Sequence, residues 1–461
     1  MSGSGDLDPG EKQPVAQAAL MPAPCDGVVG GLVSVEPGTA MAEDASSPGL
    51  LEQVLSRENL LRALKRVVSN AGAPGVDGCT VQALKGRLMT EWPTIKAALL
   101  AGTYVPDPVR QVLIPKPHGG ERRLGIPTAL DRLIQQALLQ VLQPAWDPTF
   151  SDWSYGFRPG RSAHQAVERA REYVAQGRVI VVDIDLEAFF DRVNHDVLMG
   201  RVAQRVSDKR VLKLIRAYLN AGIMIDGVSH ARTEGTPQGG PLSPLLSNLL
   251  LDEVDRELEK RGHCFVRYAD DCNIYVRSQR AGERVMQQMT RLLERLRLRV
   301  NVAKSAVALA SERQFLGFRL VAEADGARAL IAPKAEARFR DRVRELTPRQ
   351  RGRSLTAVIE ELSQYLRGWA GYFRLAEERR FWRARFGWIS RRLRALLLVQ
   401  WKTAANVYRQ ARRLGAGEHA ARSAAHLRHR PWHTARRAMN AIITTDHLLR
   451  WGLYDLRQHT R

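Results

Sequence analysis

The sequence predicts an α+β fold that passes into an α-helical, strongly basic C-terminal domain. Three observations carry this expectation. Residues 265–276 read Phe-Val-Arg-Tyr-Ala, Asp-Asp, Cys-Asn-Ile-Tyr-Val, which is two short apolar strands with a pair of acids at the bend. Residues 179–184 form a near-continuous β-branched run, as expected of a central strand covered on both faces. From Pro333 onward the pattern becomes helical and rich in Arg and Trp. A chain of 461 residues is too long for one ordinary core. We therefore expect an acidic, disordered segment over 1–50, an α+β region over 51–332 and a helical domain over 333–461.

Taken in order, the first 50 residues are rich in Gly, Pro, Ala and Ser, and hold one Lys against seven acids. That acidity argues against an organelle-targeting leader, and no basic stretch leads into an apolar signal core. Helical periodicity begins near Leu50, with Leu51, Val54, Leu60, Leu61, Leu64 and Val67 on roughly one face. Ala73-Pro74-Gly75-Val76-Asp77-Gly78 breaks it. Residues 109–127 make a β-hairpin with its turn at His118-Gly119-Gly120, carrying Arg110, Lys116, Arg122 and Arg123. No repeat of solenoid length is present, and no apolar run is long enough to span a membrane.

The charge is unevenly spread. Residues 51–330 hold 40 basic and 31 acidic residues, whereas residues 331–461 hold 29 basic and 10 acidic ones. A C-terminal quarter this basic, and dominated by Arg, predicts a phosphate-backbone partner. A solvated helical surface alone does not need so lopsided a balance. The four cysteines form no C-x-x-C pair and no zinc-ligand spacing, and read as free or buried thiols of a reducing cytoplasm.

The acids suggest the chemistry. Asp270 and Asp271 at a tight bend, with Asp185 ending the strand 179–184, could hold two Mg2+ ions. Magnesium prefers hard oxygen ligands, and a pair of such ions can align a 3′-hydroxyl with a nucleotide α-phosphate. Asp183 competes with Asp185, since residues two apart on a strand face the same way. Phe190 favours Asp185: five residues on, a bulky ring under the incoming sugar would exclude a 2′-hydroxyl. Of the pair Phe189 and Phe190, Phe189 is expected in the core. In Gly235-Thr236-Pro237-Gln238-Gly239-Gly240-Pro241-Leu242-Ser243-Pro244 the glycines allow close backbone approach to a ligand. Gln238 is placed to meet the nascent base pair or the template. Ser243 reads as N-cap and Pro244 as first residue of a helix through Leu258. Lys116 and Arg122 on the basic hairpin could reach the triphosphate of a deoxynucleotide, with solvated strand charges as the plainer alternative.

Together these blocks resemble the reverse transcriptase/maturase proteins encoded by bacterial group II introns. The resemblance runs from about Leu51 to the C-terminus. Its specific stretches are Gly75 to Gly78, Ile114 to Pro127, Ser154 to Ser162, Asp185 to Asp191, the Gln238 loop, Tyr268 to Asp271, Asn301 to Ser305 and Phe315 to Phe318. It implies a right-hand polymerase fold, with fingers and an antiparallel palm over 51–332 and a helical thumb, or maturase, domain over 333–461. It also implies metal binding by Asp185, Asp270 and Asp271, and a proton-donating role for Lys304 toward the leaving pyrophosphate.

Leu366 to Phe373 looks like the family's thumb, which grips intron RNA. Arg158, Arg161, Arg367, Trp369 and Arg374 are the RNA contacts expected here. Six of the nine tryptophans lie in this region; most are expected to pack helices, although stacking on bases is open to them. The resemblance implies three partners: intron RNA, a DNA target or primer, and deoxynucleotides. It places the protein in the cytoplasm, at the nucleoid of a bacterium. No cysteine follows Cys272, which implies the kind without an endonuclease, primed from elsewhere, such as a DNA end at a replication fork. Two competing readings are a non-enzymatic maturase with a dead polymerase core and an RNA-dependent RNA polymerase. A reverse transcriptase of phage defence or of a retron would share the palm but not the long thumb.

Overall fold

Among the described residues ten strands set the frame: β1 (Val109–Pro115), β2 (Glu121–Ile126), β3 (Ile180–Ile184), β4 (Ile223–Ile225), β5 (Val228–His230), β6 (Cys264–Tyr268), β7 (Asp271–Val276), β8 (Ala306–Leu309), β9 (Phe318–Glu323) and β10 (Gly326–Ile331). The computed structural model describes residues 49–459 except 116–120, 226–227, 232–233, 237 and 349–351. The expected acidic segment lies outside the described residues but for its last two, as do Lys116 and the hairpin turn.

The expected hairpin β1–β2 forms, with Arg110 opposite Ile126 through Pro115 opposite Glu121. It extends into a four-stranded sheet ordered β2-β1-β4-β5. The second sheet, ordered β6-β7-β3-β8, is antiparallel throughout. Strand β3 is central, and its β-branched side chains split between two cores, Val182 in one and Val181 in the other. Alternation on a strand requires this split. Helices Ser243–Lys260 and Gln279–Arg295 build the first core, and helix Ala163–Ala175 builds the second. That last helix starts with a capping box, in which Ser162 and Gln165 satisfy each other's backbone N–H groups.

One helix start departs from expectation. Ser243 is not the N-cap: Leu242 holds that position, Ser243 and Pro244 are the first two helical residues, and the helix continues to Lys260. The Ser243 N–H donates to the Gly240 carbonyl at 3.3 Å. That turn already puts Leu242 in a helical conformation, with φ −79° and ψ −27°. The side chain of Leu242 is buried and anchors the start.

The C-terminal region begins where the pattern changed, with helix Pro333–Leu346, followed by Leu355–Tyr372 and Arg379–Gln400. Shorter helices follow, among them Pro431–Arg436 and Ala438–Ile442. The second core does not stop at residue 332. It joins Val181, Val266 and Tyr275 of the sheet to Phe318, Ile331, Phe339, Leu366, Trp382 and Leu393. Trp382 is fully buried, and Trp369, Trp388, Trp401 and Trp451 pack partly buried against this core. Among the described residues no helix is long and apolar enough to cross a membrane.

Candidate active site at the carboxylate turn

Strand register brings the three aspartates to one end of the second sheet. Tyr268 pairs with Asp271 across the bend, and Ile184 pairs with Cys272. Asp185, the next residue after Ile184, therefore lies beside Asp271 on the neighbouring strand. Asp183, Asp185 and Asp271 line one cleft of about 700 Å³, with Lys304, Arg313, Arg319 and Lys334 on its wall. Asp270 is at the tip of the same turn.

Asp185 is held from behind by the loop after Arg299. Its N–H donates to Ser305 Oγ at 3.0 Å, and its carbonyl accepts from the Asn301 N–H at 2.8 Å. Lys304 Nζ lies 3.4 Å from Asp185 Oδ1 with its side chain 66% exposed, so the ammonium faces the cleft. Asp183 is differently placed. It is buried and ion-paired to Arg313, whose Nε and Nη2 donate to Oδ2 at 2.8 and 2.6 Å. Both candidates on this strand line the cleft, but Asp185 has no guanidinium partner and its side chain is the more exposed, 39% against 13%.

The turn itself is strained and braced. Ala269 sits at φ 60°, a left-handed conformation that costs an L-residue roughly 1–2 kcal/mol. Arg267 Nη1 donates to the Ala269 carbonyl at 2.9 Å. The guanidinium is 1% exposed; it also reaches Asp255 (Nε to Oδ1, 2.8 Å), Asn248 Oδ1 (2.9 Å) and Ser154 Oγ (2.8 Å). Asn248 in turn donates to the Gly156 carbonyl at 2.9 Å. A Cβ on Gly156 would come within 2.2 Å of the Ala269 nitrogen, so only glycine lets this loop lie against the turn.

Electrostatics mark the site. Burial raises the Asp271 carboxyl well above the usual carboxylate range, and the neighbouring Asp183, Asp270 and Asp185 raise it further. The Asn273 amide, donating to Asp271 Oδ1 at 2.9 Å, opposes this. Mutually repelling carboxylates are what a divalent cation relieves. Among the described residues no three acidic, His or Cys side chains close into a cage.

The remaining expected residues fall into groups. Phe189 is buried in the first core, and Phe190 is half-buried against it, with ring centroids 5.2 Å apart at 69°. The Gln238 loop bridges two elements. The Gln238 carbonyl accepts from the Gly125 N–H of β2 at 3.1 Å, and the Thr236 N–H donates to the Phe190 carbonyl at 2.6 Å. Arg122 lies on β2. Arg161 pairs with Asp152 at 2.7 Å on the surface, and Arg367 and Arg374 are exposed on and just after helix Leu355–Tyr372.

One expected RNA contact needs correction, and another is engaged in helix packing. Arg158 is buried; Nε donates to Asp147 Oδ1 (2.9 Å), Nη1 to the Ser154 carbonyl (2.9 Å) and Nη2 to the Asp147 carbonyl (2.8 Å), so it braces the loop. Trp369 lies among Phe339, Phe373, Phe381 and Trp382, with centroids 4.2–5.9 Å away, as a helix-packing ring. Sequence reasoning missed Arg267, Asn248, Asp255 and Gly156. The available signal was Arg267, a charge in the middle of an otherwise apolar strand, which requires a buried partner.

A palm-like antiparallel sheet with acids at its end and a basic helical region beside it defines a template-copying polymerase. Residues 114–320 match the family model described as reverse transcriptase (RNA-dependent DNA polymerase), and residues 337–415 match the group II intron, maturase-specific domain. The chain is 35% identical to protein YkfC of Escherichia coli over 59% of this chain and 82% of that one. It is 37% identical to the group II intron-encoded protein LtrA of Lactococcus lactis, over 42% of this chain and 32% of LtrA. A solved chain of a partial Cas6-RT-Cas1–Cas2 complex aligns at 26% identity over 54% of this chain and 43% of its own, with a TM-score of 0.36. The chain belongs to the group II intron reverse transcriptase/maturase family, and its fold is the α+β right-hand type with a helical C-terminal domain.

Proposed function

We propose that the chain is an RNA-directed DNA polymerase that also binds its own intron RNA, supporting splicing and the copying of the reverse-spliced intron into DNA during retrohoming. The observation that carries this is the β3–β7 register, which sets Asp185 beside Asp271 at the open cleft. Asp185, Asp270 and Asp271 would hold two Mg2+ ions, which supply charge neutralisation at the α-phosphate and at the leaving pyrophosphate. Lys304 adds a cation, and a transferable proton on Nζ, beside Asp185. Phe190 presents a half-buried ring for the sugar of a deoxynucleotide. Gln238, tied through its carbonyl to β2, meets the nascent pair, and Lys116 and Arg122 of the hairpin bind the triphosphate. Intron RNA lies on the Arg-rich C-terminal surface, with Arg161, Arg367 and Arg374 in contact, and the complex works at the nucleoid.

The test separates polymerase from scaffold. Asp270→Asn is expected to abolish DNA synthesis while intron-RNA binding, measured by filter retention, and splicing support stay nearly intact. Loss of both together would make the turn a structural element and favour the non-enzymatic reading.

A further inference from the structure

We propose that the cleft between helix Arg379–Gln400 and the helices Pro431–Arg436 and Ala438–Ile442 takes one unpaired nucleotide of the bound RNA, with its phosphate on Arg394, Arg391 and Arg436 and its base against the Trp432 side. This rests on the reading of the C-terminal region as RNA-binding. The cleft encloses about 450 Å³, which is within the range of small-ligand pockets.

Three features of its lining call for an anion. Arg394 is only 5% exposed, yet its Nε–H donation to the Ile443 carbonyl at 2.7 Å is its one hydrogen bond among the described residues. Among the described residues the other two guanidinium nitrogens have no acceptor, and no acidic side chain lines the cleft. Ser390 is buried and its hydroxyl also lacks a partner. Guanidinium donors turned into a cleft that holds no counter-charge are what a phosphate would take up with charge-assisted bonds. Burial, and for Arg391 the nearby Arg436 as well, pull the Arg394 and Arg391 guanidinium groups below their ordinary range.

Two further features call for a nucleotide of a polymer. Arg391 lies over the Trp432 ring at 3.9 Å and is locked there, with Nε and Nη2 both donating to the Trp432 carbonyl at 2.9 and 2.7 Å. The result is a rigid aromatic–guanidinium plate of the kind on which unpaired bases stack. Unlike the other five C-terminal tryptophans, Trp432 is not among the side chains packed into the second core. Arg430, Arg436 and Arg437 are exposed at the rim, so positive charge continues beyond one phosphate.

The test uses the full-length chain and fluorescence anisotropy with a labelled single-stranded RNA and with the same sequence as a perfect duplex. Trp432→Ala is expected to weaken single-strand binding by about fivefold or more and leave duplex binding unchanged. Arg436→Ala is expected to lower the slope of log K against log salt by about 0.7 on the single strand. Primer extension at saturating template-primer, unchanged in both variants, would report an intact fold. Equal losses on single strand and duplex, or no loss on either, would overturn the proposal. So would stabilisation by inorganic phosphate in melting experiments without any effect of Trp432→Ala on RNA, which would mark a free-phosphate site. Failure of the wild-type chain to bind RNA at all would instead remove the reading on which the proposal rests.

Discussion

Arg267 carries a full charge into a strand whose neighbours are Phe265 and Val266, both fully buried. It is retained because one guanidinium satisfies Asp255, Asn248, Ser154 and the carbonyl of the strained Ala269 at once. Arg267→Met would leave Asp255 buried without a counter-charge, and removing one partner of such a pair costs about 3–5 kcal/mol. A melting temperature within a degree or two of the parent protein would contradict this. Residue type alone misread Arg158, because an arginine in a Gly- and Pro-rich loop looks solvent-facing until its acceptors are known. Phe189 is buried in the first core as expected, and Phe190 packs half-buried against the same core. Phe190→Ala is expected to raise ribonucleotide incorporation at least about tenfold relative to deoxynucleotide, read by competitive single-nucleotide extension. Unchanged sugar selection would remove Phe190 from the sugar site and weaken the case against RNA synthesis.

At the scale of elements, the carboxylate bend depends on a second segment that is distant in sequence. Gly156 abuts Ala269 so closely that a methyl group has no room. Gly156→Ala should therefore shift the bend while leaving the helices intact. A displacement near 1 Å can cost on the order of a hundredfold in rate, so DNA synthesis is expected to fall by at least about tenfold with an unaltered far-ultraviolet circular dichroism spectrum. Near-normal synthesis would show that the bend is not set by this packing. The hairpin and strands β3, β6 and β7 were legible, because each is a long enough apolar or β-branched run beside turn residues. Strands β4 and β5, three residues each, were not, since tertiary pairing and not local pattern makes them strands. The start of helix Ser243–Lys260 shifted by one residue for a similar reason: the Gly240 turn and the buried Leu242 side chain override the capping preference of serine.

For the whole molecule, charge and core tell complementary stories. The basic excess after residue 331, 29 basic against 10 acidic residues, was visible at once. The continuity of the second core across residue 332 was not, because periodicity shows that a helix has an apolar face but not what covers it. The helical region thus shares one core with helix Ala163–Ala175, which covers the face of the sheet opposite its first core. The central claim is that Asp185, Asp270 and Asp271 act together in templated DNA synthesis. The most direct measurement is extension of a DNA primer annealed to an RNA template, with Mg2+ and all four deoxynucleotides, by the purified protein and by Asp185→Asn side by side. The account predicts long complementary DNA from the parent protein and none from the variant at matched template binding. Equal extension by both, or none by either on a template that both bind, would contradict it.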